Sequence, residues 1–484
     1  MVTRVRLTDP AGIGKSIVPA VPARQFCRLR MQQVHIGLIG GGTVGGGVWN
    51  ALERNGALMA SRLGLDLRVA AVAVRNPRKA RSASFPAALV TGDWKSVVGN
   101  PKVQVVVELM GGTTTAREVV IAALRLGKPV VTANKALLSA HGEELFTEAA
   151  RHGTNLYYEA SVAGGIPVIK VLRESLVGNR VTRLAGILNG TCNYILTRMQ
   201  QEGAAFADVL ADAQRLGYAE AEPSLDVDGH DAAHKTGILA SLAHGFWVKP
   251  EQVHTEGIRN VSALDIQFAA RLGYTIKLLG IVKCLGADDL QRPSTKGRAR
   301  RSPRPEGSCA IQASVYPALV PNTHVLASVK LAFNAVAVRG DVVGDTLFYG
   351  LGAGAAATAS SVLSDLADAA LDLKHGSHRR VPPFVAHEGN GRVVPLDDVV
   401  SRYYVRLSVL DRPGVFARIA GLLARARIGI SSIIQPEGHA GETVPVILMI
   451  HDAPNAAMQR VLRQIAALPV VRSEPVMIRV EDLE

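Results

Sequence analysis

The stretch Val34-His-Ile-Gly-Leu-Ile-Gly40-Gly-Gly42-Thr-Val-Gly45 decides the fold of this chain. Its first six residues are apolar enough for a buried strand, and apolar residues with helical spacing follow the last glycine. Between them the glycines are spaced Gly-x-Gly-x-x-Gly. In a strand-turn-helix setting, Gly40 permits a tight turn, Gly42 lets the backbone approach a pyrophosphate, and Gly45 lets helix and strand pack closely. The stretch therefore predicts a dinucleotide site.

Strands and helices continue to alternate after this turn. Further apolar strands are predicted at 68–74, 103–109 and around 129–132, with helical stretches between them. Such alternation produces right-handed crossovers and a parallel sheet. We therefore expect the α/β class, with a Rossmann-type doubly wound parallel sheet over residues 31–160.

The remaining chain divides into further regions. Residues 161–374 mix long helices with separated strands, which predicts an α+β substrate and dimerisation domain carrying a basic insert at 288–307. Residues 375–400 are rich in His, Arg, Pro and Gly and are interpreted as a linker. The pattern of residues 401–484 predicts a ferredoxin-like βαββαβ unit.

The net charge of +13 would suit a nucleic-acid partner, but much of it lies in residues 1–30 and in the insert. Both segments have the composition of solvated, flexible chain, so we expect no nucleic-acid partner. Residues 1–30 are interpreted as a disordered arm or an upstream extension of the true start. No stretch approaches the ~20 apolar residues of a membrane helix, and no two of the four cysteines have metal-ligand spacing. We expect a cytoplasmic protein without a membrane partner.

Asp231 and Lys235 are four residues apart in a predicted helix and would share one of its faces. Taken alone, such a pair is most often a surface ion pair that adds little stability. The residues on either side of this pair form a longer motif that indicates a more specific role.

The segment Leu216-Gly217-Tyr-Ala-Glu220-Ala-Glu-Pro-Ser-Leu-Asp226-Val-Asp-Gly-His-Asp231-Ala-Ala-His-Lys235 resembles the signature of the homoserine dehydrogenase family. Glu222 departs mildly from it, because the family usually has Asp, Asn or Ser before the proline. Other stretches that agree, in the family's order, are Val131-Thr-Ala-Asn-Lys135, Glu159-Ala-Ser-Val-Ala-Gly-Gly-Ile-Pro167, Gly186-Ile-Leu-Asn-Gly-Thr-Cys-Asn-Tyr194 and Tyr349-Gly-Leu-Gly352-Ala-Gly354. The resemblance covers about residues 34–365, apart from the insert.

The resemblance implies reversible NAD(P)H-dependent reduction of L-aspartate 4-semialdehyde to L-homoserine, in the biosynthesis of threonine, methionine and isoleucine. Lys235 and Lys135 would be the catalytic lysines that transfer the proton. The substrate would be bound by Gly217, Glu220 and Asp231. The chemistry is consistent, because hydride addition to an aldehyde leaves an alkoxide that an ammonium group can protonate and stabilise.

The second strand bears on the choice of cofactor. An NAD-selective fold usually has an acidic residue at its end, whereas this chain has Arg75, followed by Asn76, Arg78 and Lys79. A basic turn suits the 2′-phosphate of NADP, and NAD stays open as an alternative. The expected cofactor contacts, including two implied by the resemblance, are Gly40, Gly42, Thr43, Val44, Gly45, Arg75, Lys135 and Gly352.

The resemblance also implies a monovalent cation, with sodium preferred, near residues 159–166. Its ligands would be Glu159, Val162, Gly164 and Ile166, mostly through backbone carbonyls. The residues alone would indicate only a glycine-rich hinge.

Near the C-terminus, Asp411-Arg-Pro-Gly414-Val-Phe-Ala-Arg-Ile resembles an ACT domain. Such a domain implies an amino-acid effector, expected to be threonine, at Asp411 and Gly414, where backbone N–H groups at a helix start can take a carboxylate. The alternative is a dimerisation module with an empty site. We expect a homodimer or homotetramer. An alternative of another class is a non-catalytic regulator that binds nucleotide and amino acid. It would require a broken lysine pair, whereas both Lys135 and Lys235 are present.

Overall fold

The computed structural model describes residues 31–81, 83–216, 219, 222–286, 289, 309–437, 439 and 441–483. The predicted arm 1–30, the insert 288–307 apart from Asp289, and two predicted substrate contacts, Gly217 and Glu220, lie outside the described residues. The expectations for these parts stay predictions.

The first sheet is parallel, and its six described strands have the order β3-β2-β1-β4-β5-β6. The direction of winding reverses between β1 and β4, which is where ligands bind in such sheets. The doubly wound prediction is confirmed. Its elements are β1 (Gln32–Ile39), α1 (Thr43–Leu63), β2 (Leu65–Ala73), β3 (Val90–Thr91), α2 (Trp94–Gly99), β4 (Val105–Glu108), α3 (Thr114–Arg125), β5 (Val130–Thr132), α4 (Lys135–Arg151) and β6 (Leu156–Tyr157).

The second sheet is mixed and has eleven described strands. Its first part runs β12-β11-β7-β9-β10, all antiparallel, and α9 packs against β9 and β10. The elements of this region are α5 (Val168–Lys170), a π-helical turn (Val171–Ser175), β7 (Val181–Ile187), α6 (Gly190–Glu202), α7 (Phe206–Arg215), α8 (Ser224–Val227), α9 (His230–His244), β8 (His254–Thr255), α10 (Ala263–Arg271), β9 (Tyr274–Cys284), β10 (Ala310–Pro321), β11 (Phe333–Gly340), β12 (Gly344–Leu351) and α11 (Ala355–His375).

Helix α11 follows the second region in the chain but packs in the first. Val362 and Leu366 join the buried cluster that contains Val34 and Ile36 of β1. Both faces of a parallel sheet must be covered, and α11 covers one of them beside α1. The predicted region 161–374 is therefore contiguous in sequence but divided in space.

The C-terminal unit has the predicted βαββαβ order. Strand β13 (Arg392–Val393) precedes the unit. The elements of the unit are β14 (Val400–Leu410), α12 (Val415–Arg425), β15 (Ile430–Ile434), β16 (Thr443–Pro454), α13 (Asn455–Ala466) and β17 (Val476–Val480), and its strands lie in the order β17-β14-β16-β15. Pairing of β17 with β10 joins this unit to the second sheet, with Ala318 opposite Arg479 and Leu319 opposite Val480.

The segment interpreted as a linker, 375–400, lies against the body of the protein. The hydroxyl of Tyr158 donates to the carbonyl of Pro383, and the Phe384 ring stacks on Phe146 with centroids 5.9 Å apart. Strand β13 pairs with β10. Within the described residues, no helix is long and apolar enough to cross a membrane.

Candidate active site

The glycine-rich turn lies at the carboxyl end of the first sheet and lines a cleft of about 920 Å³. Gly40 has a φ of +109°, and a Cβ there would lie 2.5 Å from the carbonyl oxygen of Leu109. A Cβ on Gly45 would lie 2.0 Å from the carbonyl oxygen of Gly40, so helix and strand pack without room for a side chain. A Cβ on Gly42 would have no described atom within 4 Å, and this backbone is open to a ligand.

Helix α1 begins at this turn, and no described side chain caps its N-terminus at Gly42. The first N–H groups of a helix lack intrahelical acceptors and attract anions. Thr43 lines the cleft, while the side chain of Val44 packs towards the core, so Val44 can serve a ligand only through its backbone. The turn fits a dinucleotide pyrophosphate.

Arg75 is exposed and lines the same cleft, together with Asn76 and Lys79. No sequence pattern singled out Arg81, which holds this turn in place. Its guanidinium donates to the backbone carbonyls of Asn76, Pro77 and Lys79, the last at 2.7 Å. Hydrogen bonds from the Arg81 side chain to these backbone carbonyls therefore stabilise the conformation of the basic turn.

Glu108 was also missed, because a single acidic residue at the end of an apolar strand carries no local signal. It accepts hydrogen bonds from the Thr132 hydroxyl at 2.6 Å and from the N–H of Met110 at 2.8 Å. Burial raises the pKa of Glu108 to about 7, although these hydrogen bonds oppose the shift. The carboxyl group thus ties β4 to β5 and to the loop that lines the cleft.

Lys135, Asp231 and Lys235 come together at the start of α4, where the amide of Asn134 donates to the carbonyls of Met110 and Gly112 in the cleft lining. Lys135 begins α4 directly after β5, and its Nζ lies 2.7 Å from one oxygen of Asp231. The Nζ of Lys235 lies 2.7 Å from the other oxygen. The side chains of Asp231 and Lys235 are only 5% and 8% exposed, so this is no surface ion pair.

Two further groups fix this arrangement. Lys235 donates to the carbonyl of Leu188 at 2.7 Å, and the amide of Asn189 donates to Asp231 at 2.9 Å and to Asp226 at 2.7 Å. Asn189 and Asp226 were not singled out, although both lie inside motifs that carry the family resemblance. A buried carboxylate and ammonium are thereby given several partners each.

Burial and the neighbouring charges shift the pKa values of Asp231 and Lys235. Burial opposes the charged form of Asp231, but the ammonium groups of Lys235 and Lys135 outweigh it and hold the pKa of this carboxyl far below its usual value. Burial lowers the pKa of Lys235; the Asp231 carboxylate opposes this shift, and the charge of Lys135 adds to it. The lowered pKa favours the neutral form of Lys235 relative to a lysine in water.

Gly352 and Gly164 lie next to each other beside β11. A Cβ on Gly164, whose φ is +55°, would lie 2.5 Å from the backbone of Gly352. A Cβ on Gly352 would lie 2.0 Å from the amide of Asn334. That amide is buried, and neither of its polar atoms has a hydrogen-bond partner among the described residues. Asn334 was not predicted.

The expected cation ligands surround the same turn. The carboxylate of Glu159 accepts from the N–H groups of Ile169 at 2.9 Å and Lys170 at 2.8 Å, and is thus occupied in capping a helix. The carbonyl of Gly164 accepts from Ser361, and that of Ile166 accepts from the N–H of Val168. A cation at this turn would therefore bind backbone carbonyl oxygens of which some already accept hydrogen bonds. The expectation for Val162 and the other three ligands was likewise binding mostly through backbone carbonyls.

Buried acidic groups near this turn suit a cation. The N–H of Glu159 donates to Asp365 at 2.8 Å, and both carboxyl groups are buried. Burial raises the pKa of Glu159 to about 7 and that of Asp365 well above its usual value. A positive ion would relieve the cost of two buried acids.

In the C-terminal unit, Gly414 immediately precedes α12 with a φ of +84°, and no described side chain caps that helix. Asp411 lines a neighbouring cavity of about 640 Å³ with Gln435, His439 and Glu442 among its other residues. The positive φ favours glycine at position 414, and a Cβ there would have no described atom within 4 Å.

Comparison with known proteins agrees with this architecture. Residues 40–159 match the model of the homoserine dehydrogenase NAD-binding domain, residues 167–367 match the homoserine dehydrogenase model, and residues 403–469 match the ACT domain. The dinucleotide-binding and ACT predictions are thereby confirmed.

Whole-chain relatives carry the same description. Homoserine dehydrogenase of Pseudomonas aeruginosa is 42% identical over 458 residues, covering 94% of this chain and 100% of the relative. That of Corynebacterium glutamicum is 41% identical, covering 93% and 96%. The crystal structure of a homoserine dehydrogenase from Thiobacillus denitrificans has a TM-score of 0.84 at 42% identity, covering 94% of this chain and 99% of that one. The chain belongs to the homoserine dehydrogenase family of oxidoreductases.

Proposed function

We propose that this enzyme reversibly reduces L-aspartate 4-semialdehyde to L-homoserine, on the route to threonine, methionine and isoleucine. The observation that carries the proposal is the Asp231 carboxylate bridged at 2.7 Å by Lys135 and by Lys235. Lys135 begins the helix that follows β5 of the first sheet, and Lys235 lies on α9 of the second region, so the proposed site joins these two regions.

Lys235, Lys135 and Asp231 have different roles in the proposed reduction. A reduced nicotinamide in the cleft would supply a hydride, with its electron pair, to the aldehyde carbon. Lys235 donates a proton from Nζ to the aldehyde oxygen as negative charge develops there, and Lys135 stabilises that charge. Asp231 orients both ammonium groups and holds polar groups of the substrate. In oxidation, neutral Lys235 takes the hydroxyl proton back.

Replacing either lysine by alanine should lower kcat by ~100-fold or more, because each removes a charge that is needed as the alkoxide forms. Steady-state assays of Lys235→Ala and Lys135→Ala measure this, with circular dichroism to verify folding. The matched control is Lys102→Ala, at an exposed position, which should leave kcat unchanged. Unchanged turnover in both site variants would refute the mechanism.

NADP is the proposed cofactor, with NAD as the weaker alternative. Arg75 lines the cleft beside Asn76 and Lys79, so the turn presents positive charge where the 2′-phosphate would lie. A hyperthermophilic archaeal relative, 25% identical with a TM-score of 0.56, was solved in complex with NADPH. The remaining contacts would be those of the glycine-rich turn, with Lys135 and Gly352.

Arg75→Ala should weaken NADPH binding by ~1.5–3 kcal/mol, the value of a lost charge-assisted hydrogen bond, and leave NADH nearly unaffected. Calorimetry with each reduced cofactor measures both. Arg68→Ala, at an exposed position of β2, the strand that precedes Arg75, serves as the control and should change neither. Equal losses for the two cofactors would show that Arg75 acts through the fold of the turn.

A sodium ion bound by backbone oxygens of Glu159, Val162, Gly164 and Ile166 belongs to the same proposal. The acidic surroundings of Glu159 and Asp365 support it. Its proposed role is to hold the turn that faces Gly352.

Association of identical chains is proposed from the outer strand β12. Leu347, Tyr349 and Leu351 alternate along it and are 37%, 55% and 50% exposed. A long apolar edge strand is unusual on a monomer, because it exposes unpaired backbone and apolar surface together. A homodimer or homotetramer would cover it.

Feedback inhibition by threonine is proposed through the ACT domain, and a continuous set of contacts supports it. Arg479 of β17 is fully buried, donates to Glu256 at 3.0 Å and to Asn455 at 2.8 Å, and lies 4.6 Å from the centroid of the Tyr316 ring. A shift of β17 would therefore move the Arg479 guanidinium and alter its hydrogen bond to Glu256.

The second half of this set reaches the catalytic helix. A Cβ on Gly257 would lie 2.2 Å from the carbonyl oxygen of Val227, and the N–H of Ile258 donates to that oxygen at 2.8 Å. Val227 ends α8 just before α9, which carries Asp231. Threonine at Asp411 and Gly414 could thus favour a less active arrangement of that helix.

Arg479→Met should keep threonine binding but reduce the effect of bound threonine on substrate affinity. In wild type, a typical coupling of about 1–3 kcal/mol would change the apparent substrate affinity by about 5- to 150-fold. Calorimetry measures binding, and initial rates measure inhibition. Asp411→Ala is the companion variant and should lose binding itself. No heat and no inhibition at millimolar threonine in wild type would leave the domain as a dimerisation module.

A further inference from the structure

Three soft donor groups meet at the end of α9 opposite to Asp231. His244 is the last residue of the helix, Cys284 is the last residue of β9, and Cys309 immediately precedes β10. The Nδ1 of His244 lies 3.8 Å from the Sγ of Cys284 and 3.7 Å from the Sγ of Cys309. All three donor atoms lie within 4.8 Å of one another. The proposed reaction uses none of them.

These distances are close to the edges of a metal tetrahedron. With Zn–S bonds of about 2.3 Å and Zn–N bonds of about 2.0 Å, tetrahedral angles separate nitrogen from sulfur by about 3.5 Å and sulfur from sulfur by about 3.8 Å. The two nitrogen-sulfur distances of 3.8 and 3.7 Å exceed this spacing by only about 0.2–0.3 Å, so small side-chain movements would suffice to bind an ion.

Hydrogen bonding explains the cluster less well. A neutral imidazole Nδ1 offers one lone pair, and here two thiols approach it at nearly equal distances. His244 is only 6% exposed, and its Nε2 is buried without a partner in the part of the chain that the structure describes. An ion bound to Nδ1 and both sulfurs would account for all three donors converging.

The register of the strands argues against a disulfide. Cys284 lies opposite Ile311, and Cys309 lies two residues before Ile311, so the cysteines share a face of the sheet but are diagonal neighbours. Diagonal Cα atoms are about 7–8 Å apart, whereas disulfides need about 4.4–6.8 Å. Two thiolates in this relation can still share one metal ion.

We propose that His244, Cys284 and Cys309 bind a thiophilic divalent cation such as Zn²⁺, with water as the fourth ligand. The three protein ligands would tie the C-terminal end of α9 to β9 and β10, the two strands that flank the basic insert in the chain. Thiolate and imidazole ligands select zinc over the hard ions that suit oxygen sites. This site is separate from the proposed sodium site, whose ligands are oxygens.

Cobalt titration of the full chain tests the proposal, because thiolate-to-cobalt charge-transfer bands and visible bands of tetrahedral cobalt report the ligands directly. The protein is freed of metal under reducing conditions, and Cys27→Ser is used as the background to remove an unrelated thiol. We expect one equivalent per chain with both sets of bands, displaced by Zn²⁺, and Zn²⁺ should raise the thermal midpoint.

The ligand variants complete the test. His244→Gln and the double variant Cys284→Ser with Cys309→Ser should weaken Co²⁺ binding by about tenfold or more and lose the stabilisation by Zn²⁺. The Cys27→Ser parent is the matched control. Cobalt binding without thiolate bands, equal binding in the double variant, or an unreduced protein whose mass and peptides show a Cys284–Cys309 disulfide would each overturn the proposal.

Discussion

A single buried carboxylate between two ammonium groups is the interaction on which the site depends. Asp231 joins Lys135, the first residue of α4 in the first region, to Lys235, one turn along its own helix. Removing the charges of Asp231 and Lys235 from water is costly unless each is paired and hydrogen-bonded. The carbonyl of Leu188 and the amide of Asn189 supply further partners, so the surrounding motifs are needed to keep these charges in place.

Close packing also connects the C-terminal unit to the helix that carries Asp231. That helix, α9, begins just after Val227, the last residue of α8, and a Cβ on Gly257 would lie 2.2 Å from the carbonyl oxygen of Val227. Glu256, beside it, is held by Arg479 from the C-terminal unit. Because β17 also pairs with β10, the C-terminal unit adds strands to the sheet that supports α9, and is not tethered by a flexible segment alone.

Local patterns in the sequence were sufficient for four strands of the first sheet, β1, β2, β4 and β5, and for the glycine-rich turn. Gly40, Gly42 and Gly45 have the spacing and neighbours that the strand-turn-helix pattern predicted. Patterns of this kind could not indicate that α11 covers the first sheet, because its apolar face would suit either core. The spacing of Asp231 and Lys235 predicted their contact, but burial and the approach of Lys135 depend on the tertiary fold.

Residues that act through long-range contacts were the ones missed. Glu108 and Asn334 are single polar residues without a repeating pattern, and their contacts become visible only when segments distant in sequence are brought together. Arg81 is an exception, because its contacts are local, but a single arginine in a basic turn carries no pattern either. Cys284 and Cys309 were dismissed as ligands for lack of motif spacing. The insert separates them in the chain, and antiparallel pairing of β9 with β10 brings them back together.

The pH dependence of kcat/KM for homoserine oxidation, compared between wild type and Asp231→Asn, tests the central claim most directly. In wild type the rate should rise towards alkaline pH as the catalytic lysine becomes neutral. The Asp231 carboxylate raises the pKa of Lys235 against the opposing effects of burial and Lys135, so its removal should lower that pKa and move the rise to lower pH. A flat wild-type profile, or a rise at the same pH in the folded variant, would contradict the account.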